Sequence, residues 1–261
     1  MSNPEERFWG DMRAFTQARI GLGRSGSAVR TETLLNFQLA AARARDAVYC
    51  PFDPYAVERA VSPMDCIHVA SRAMDRAIYL RRPDLGRRLS SESLARLSEH
   101  DQVGGYDIVF VIADGLSPAS SITNAASLIV ACIAQLSGWA VAPVVIASQA
   151  RVALGDEIAG ALGARAVAIL LGERPGLSVS ESLGLYFTWN PAVGTPDSRR
   201  NCISNIHSEG LSNQTAAKIA VWLIREAARL KISGVTLKEN AGRDHLSGVS
   251  SALSAPLSTA S

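Results

Sequence analysis

Leu34, Phe37, Ala41, Ala44 and Val48 recur at steps of three and four residues, the spacing that lines one face of an α-helix. Arg30, Arg43 and Arg45 are left for its other faces, and Pro51 and Pro54 mark its end. A second helix is predicted over residues 65–80, closed by Pro83, and a third from the cap Ser90-Ser91-Glu92 to about Glu99. No run of β-branched residues interrupts this stretch, so residues 1–103 read as a helical N-terminal region.

The pattern changes at Gly104-Gly105. Ile108, Val109, Phe110, Val111 and Ile112 form a short unbroken apolar run between turn residues, as expected of a strand buried on both faces. Runs of the same kind follow at 144–147 and 166–171, while 183–189 alternates less cleanly. Helical stretches lie between them, one to about Leu136 and one through Ile158 to Leu162, and Ser212 caps a long helix to about Leu230. Strands alternating with helices imply βαβ units. The predicted fold class is α/β: the helical region followed, over 104–239, by a mainly parallel Rossmann-like sheet domain. Residues 235–237 are expected to add an edge strand, and the Ser-, Ala- and Gly-rich chain over 240–261 to be a disordered tail.

Three polar, turn-rich segments, 149–156, 172–176 and 200–205, come directly after apolar runs, so each is expected where a strand has just ended. Open α/β sheets bind ligands in the crevice beyond the carboxyl ends of their strands, which brings the three to one place. The first, around Arg151 and Val152, can present backbone N–H and C=O groups; in the second, Gly172 and Gly176 bracket the carboxylate of Glu173. No set of catalytic side chains accompanies them. The segments read as a ligand rim, in a chain that holds something rather than one that does chemistry alone.

Composition narrows the class. With 261 residues, 48% apolar and 19% charged, the chain can bury a full core. A net charge of +2 gives no general attraction to nucleic acid or membrane. Met1 to Glu6 contain neither a basic nor an apolar signal region, and the apolar stretch near 125–136 is too short and interrupted to span a bilayer. Cys50, Cys66, Cys132 and Cys202 lack the short paired spacing of zinc ligands. A reduced, cytoplasmic protein is expected.

Several motifs invite sharper readings. Gly21, Gly23 and Gly26 match G-x-G-x-x-G, but that motif binds a pyrophosphate only when a strand delivers it to a helix N-terminus. A polar, helix-like stretch precedes it here, so a connector or partner-contact loop is favoured over a nucleotide site. Arg72, Arg76, Arg81, Arg82, Arg87 and Arg88 are dense enough for phosphate contacts, yet Asp65, Asp75 and Asp84 are interleaved with them. Salt bridges or a subunit interface fit better. Ser204, His207 and Asp197 could be imagined as a triad, with nothing in the sequence to place them together. Asp156 and Glu157 are expected to complement the macrodipole of a helix rather than to chelate a cation.

Six stretches taken in order carry a resemblance: ARIGLGRSG at 18–26, RPDLGRRL at 82–89, IADGLS at 112–117, RVALGDE at 151–157, GERPGLS at 172–178 and RNCISNI at 200–206. Together they resemble the small subunit of adenosylcobalamin-dependent ethanolamine ammonia-lyase, over about residues 18–238. The resemblance implies a helical N-terminal region before an α/β domain, and a larger TIM-barrel partner that carries most of the substrate site. It places the corrinoid between the two subunits and assigns cobalamin contacts to Val152, Glu173 and Cys202. The chemistry it implies belongs to the cofactor: an adenosyl radical abstracts hydrogen from ethanolamine, and rearrangement releases acetaldehyde and ammonia. The protein would hold the corrin and exclude water. No D-x-H-x-x-G is present, which fits a cofactor bound with its own lower base.

Two positions depart from the family pattern. Ala150 stands where Gly is usual, and its methyl could crowd a backbone that needs positive φ; Asn124 stands near a position where His is common. Enteric members carry an N-terminal extension tied to packaging in a bacterial microcompartment, whereas this chain reaches its first matching stretch by residue 18. The other readings of the chain are a nucleotide-binding α/β enzyme using residues 21–26 and a purely structural subunit.

Overall fold

The computed structural model describes residues 4–16, 18–100 and 105–238. The region boundary expected at 103/104 and the tail expected from 240 lie outside these residues. Helix α1 (Pro4–Arg13) leads into a two-residue ribbon, β1 (Arg24–Ser25) with β2 (Ala28–Val29), and then α2 (Thr31–Tyr49). Helix α2 carries the expected 3–4 period, yet none of its residues is buried: Ala41, Ala44 and Val48 are half-covered, and Leu34 and Phe37 are exposed. Its apolar stripe therefore belongs to a surface, not to the core of this chain. Asp53 caps α3 (Pro54–Val61) by accepting from the backbone N–H groups of Tyr55 and Ala56, and the helix buries Val57 and Val61.

Residues 65–80, expected to be one helix, divide into strand β3 (Cys66–Ala70) and a short helix, α4 (Arg76–Arg81). Ile67 and Val69 are buried while Cys66, His68 and Ala70 are only partly covered, which is the period of two that a strand imposes. Asp75 then opens α4 by accepting from Ile78 N. The Ser90 cap of α5 (Ser91–Ser98) forms as expected, its hydroxyl accepting from Ser93 N.

The remaining order is β4 (Val109–Ala113), α6 (Pro118–Ile133), β5 (Val144–Ser148), α7 (Leu154–Ala161), β6 (Ala166–Gly172), β7 (Leu183–Trp189), β8 (Asn201–Ile206) and α8 (Asn213–Leu230). Six strands make one sheet in the order β3-β5-β4-β6-β7-β8. The pairings from β3 to β6 are parallel and the last two antiparallel, so the sheet is mainly parallel and the class is α/β.

Alternate residues of each strand face opposite layers. Phe110, Ile112, Ile146 and Ala168 pack with α3, α6 and α8, while Val109, Val111, Val145 and Ile169 pack with α5 and α7. Every residue of β4 and of β6 is buried, consistent with the continuous apolar runs; each Ile or Leu there contributes about 1.5–3 kcal/mol.

Two expected elements differ. Residues 235–237 do not add a strand; Gly234–Thr236 is a 3-10 turn. Asn201 dictates this, its Oδ1 accepting from Gly234 N at 2.7 Å and its Nδ2 donating to Leu237 O at 2.9 Å. Residues 200–205, expected as a loop, lie mostly in the edge strand β8. Leu185 faces Ile203 and Leu183 faces Ile206, so β8 holds one more residue than β7 between the same points, with Asn205 at φ +61°. That bulge hid the strand's period.

Candidate functional site

Three strand ends supply the neighbourhood. Asp114 follows β4 directly and is fully buried. Its Oδ1 accepts from Gly115 N at 2.9 Å and Ala150 N at 3.0 Å, and its Oδ2 from Gln149 N at 2.9 Å and Arg76 Nη1 at 3.3 Å. Burial pushes the carboxyl up to about 6, against the opposing pull of the bonded amides and Arg76. Local pattern does not reveal the role of Asp114, because apart from its neighbour Gly115 its partners are 35 to 38 residues away.

The loop after β5 is built around that carboxylate. Gln149 takes a positive φ of +55°, while Ala150 does not and is fully buried. The concern that a methyl at 150 crowds a left-handed backbone is therefore removed: the left-handed residue is its neighbour. Tyr79 Oη donates to Ala150 O at 3.0 Å, Arg151 N donates to Gly86 O at 2.8 Å, and the Arg151 guanidinium lies 4.3 Å from the centre of the Tyr79 ring.

Helix α7 follows this loop and packs on β6. On the opposite side α8 packs on β7 and β8. On the α7 side, a groove of about 830 Å³ is lined by Val152 and Ala153 of the loop, Tyr186 of β7, Cys202 of β8, and Arg87, Arg88 and Arg200. The groove runs from the loop beyond the carboxyl end of β5 onto the face of β7 and β8.

Val152 and Cys202 share this groove, while Glu173 is not among its lining residues. Glu173 stands just beyond β6, its N donating to Ser182 O at 2.8 Å. Its Oε2 accepts from Ser182 Oγ at 2.5 Å and from Asn205 N at 3.3 Å. Gly184 makes room for it: a methyl there would stand 2.9 Å from Glu173 Oε1 and 3.0 Å from the Tyr186 ring. Glu173 and the groove-lining Tyr186 thus both approach Gly184. Burial raises the Cys202 thiol above its ordinary value; a hydrogen bond from Tyr186 offsets part of this and the Glu173 charge adds to it. The upward shift disfavours the reactive thiolate.

Asp156 and Glu157 do more than complement a helix. Arg200 holds both oxygens of Asp156, and Glu157 takes Arg88 Nη2 at 2.9 Å and Leu89 N at 2.6 Å. The arginines of 72–88 include several in ion pairs, Arg76 with Asp114, Arg82 with Asp84 and Arg88 with Glu157, as their interleaved acids suggested.

The imagined triad is not assembled. His207 Nε2 meets Asn205 Oδ1 at 2.8 Å, its Nδ1 accepts from Glu209 N at 3.2 Å, and Asp197 pairs with Arg200. At 21–26 all three glycines have positive φ, but the segment runs into the short exposed ribbon instead of linking a core strand to a helix N-terminus. That geometry removes the basis for a pyrophosphate site. Among the described residues no group of three or more His, Cys, Asp or Glu could hold a metal ion, and no helix is long and apolar enough to cross a membrane.

Comparison with known proteins identifies the family. The family profile described as "Ethanolamine ammonia-lyase light chain (EutC)" matches residues 6–238. The chain is 51% identical over 234 residues to an ethanolamine ammonia-lyase small subunit from Rhodopseudomonas palustris (strain BisA53), covering 88% of this chain and 89% of that one. It is 48% identical over 239 residues to one from Pseudomonas fluorescens (strain SBW25), covering 89% and 86%. A third, from Xanthomonas campestris pv. campestris (strain ATCC 33913), is 46% identical and covers 98% of this chain and 96% of its own. The chain belongs to the ethanolamine ammonia-lyase light-chain family.

Proposed function

We propose that this chain is the small subunit of an adenosylcobalamin-dependent ethanolamine ammonia-lyase and holds part of the cobalamin against a large, TIM-barrel subunit. The observation that carries the reading is the meeting of Val152 and Cys202, from different elements, in one groove.

The groove suits a corrin. A corrin ring has an apolar rim hung with amides, and this groove pairs the apolar surfaces of Val152, Ala153 and Val193 with arginines.

When bound, adenosylcobalamin supplies the radical that starts the conversion of ethanolamine to acetaldehyde and ammonia. Val152 and Cys202 give apolar contact that excludes water. Glu173, its Oε2 already held by Ser182 and Asn205, is fixed in place to accept an amide hydrogen through Oε1. The chain provides orientation and enclosure.

The exposed apolar residues of α2, Leu34, Leu35, Phe37 and Leu39, support a protein partner, since such a cluster marks an interaction surface. Mixing the purified chain with its large subunit, with and without adenosylcobalamin, tests the reading. Turnover should require both polypeptides and the cofactor. A large subunit that binds cobalamin equally well alone would remove the groove from the site.

A further inference from the structure

We propose that Asp114 and Arg76 are positioning residues, a buried clamp that sets the 149–153 loop, and with it Val152, against the cofactor groove. The inference rests on reading that groove as a cobalamin site.

The geometry of the clamp is specific. One carboxylate receives the backbone N–H groups of Gln149 and Ala150, consecutive residues of the loop, together with Gly115 N from its own strand end. Arg76 completes it, with Nη1 donating to Asp114 Oδ2 at 3.3 Å and to Gly115 O at 2.8 Å, and Nε donating to Val48 O at 2.8 Å. The pair thus ties together the end of β4, the loop after β5 and the end of α2.

This loop needs an external hold. Gln149 sits at φ +55°, a conformation that costs a non-glycine residue free energy unless its surroundings impose it. Asp114 bonds the amides of that residue and the next, so it fixes the backbone where the chain turns toward Val152. A buried carboxylate is an expensive way to fill space, and an apolar side chain would serve if packing were all that was required. What it supplies instead is an acceptor for several donors at one point. Arg76 and Tyr79 from α4 and Arg151 from the loop are the charged and titratable groups that face it.

Asp114→Asn keeps the shape but turns an NH2 group toward N–H donors. In the full chain without cofactor, hydrogen exchange at the Gln149 and Ala150 amides should quicken about tenfold or more, with Ile169 to Leu171 in β6 unchanged. In the complex with the large subunit, the dissociation constant for adenosylcobalamin should rise about tenfold or more. Arg76→Gln should move both in the same direction and serves if Asp114→Asn does not fold. In the wild type, exchange protection at Gln149 and Ala150 and cofactor affinity should both fall as pH drops below about 6, where Asp114 takes a proton; a folded Asp114→Asn should lack that step.

Unchanged exchange at Gln149 and Ala150 in both variants overturns the clamp. A loosened loop with wild-type cofactor affinity overturns its positioning role. If the wild-type complex binds no cobalamin, the reading of the groove fails, and the exchange data still decide whether the clamp holds the loop.

Discussion

Arg200 and Asp156 face each other with two nitrogens each 2.7 Å from one of two carboxylate oxygens, and both side chains are at least 97% withdrawn from water, at 3% and 1% exposure. Arg200 also donates to Thr188 Oγ1 and Thr195 O, so the pair joins the first turn of α7 to the approach to β8. It fixes the relative position of the two elements that bring Val152 and Cys202 to one groove.

Removing one partner strands the other. Arg200→Ala leaves a carboxylate buried without its cation and should destabilise the chain by about 3–5 kcal/mol. Replacing the pair with Arg200→Met and Asp156→Leu should recover most of that loss. Urea denaturation of the two variants checks it, and equal losses would show that the ion pair itself is not the source.

Asp114 predicts a pH dependence with an unusual sign. Its carboxyl is raised to about 6, so the folded chain binds the proton more tightly than the unfolded chain does. The contribution of this group to global stability is fully present below the ordinary carboxylate range and is lost as pH rises toward 6. The stability of the wild type relative to Asp114→Asn should therefore increase on acidification from pH 6 to 4. A difference independent of pH would mean that Asp114 does not titrate in that range. Global stability and local order of the loop are expected to move in opposite directions, because the proton that relieves burial also removes an acceptor.

Ala150→Gly brings in the residue that the resemblance led one to expect, and the structure predicts no benefit. Ala150 is buried with no positive φ, so the change removes a packed methyl and loosens the unfolded chain. A loss of about 1 kcal/mol should appear in the denaturation midpoint. A gain would place strain at this position after all.

Glu173→Ala should weaken adenosylcobalamin binding by roughly five- to 150-fold, the cost of about 1–3 kcal/mol for an unpaired amide. The same change frees Ser182 Oγ and Asn205 N, so a modest fall in stability should accompany it. Ser182→Ala separates the two effects: it loosens Glu173 without deleting its carboxylate. Binding unchanged in Glu173→Ala would take this residue out of the site.

The sequence made the inner strands plain and obscured the edges. Strands buried on both faces, such as β4 and β6, appear as unbroken apolar runs. β3 lies at an edge of the sheet, and Cys66 and His68 dilute its pattern until helical spacing absorbs it. β8 is the other edge, with Cys202, Ser204 and Asn205 exposed and a bulge that sets Ile203 and Ile206 three apart. The groove was half legible for the same reason. The resemblance assigned contacts to Val152, Glu173 and Cys202, of which Val152 and Cys202 meet in one groove; Asp114, Tyr79 and Arg200 act through partners distant in sequence, which local pattern does not encode.

Equilibrium binding of adenosylcobalamin to the assembled two-subunit complex tests the central claim most directly, comparing wild type with Val152→Trp and Cys202→Trp. Val152 is half-covered and Cys202 exposed, so both bulky side chains can enter the groove without disturbing the core. The account predicts that each variant assembles normally and loses most of its affinity for the cofactor. Wild-type affinity in both, with the complex intact, would contradict it.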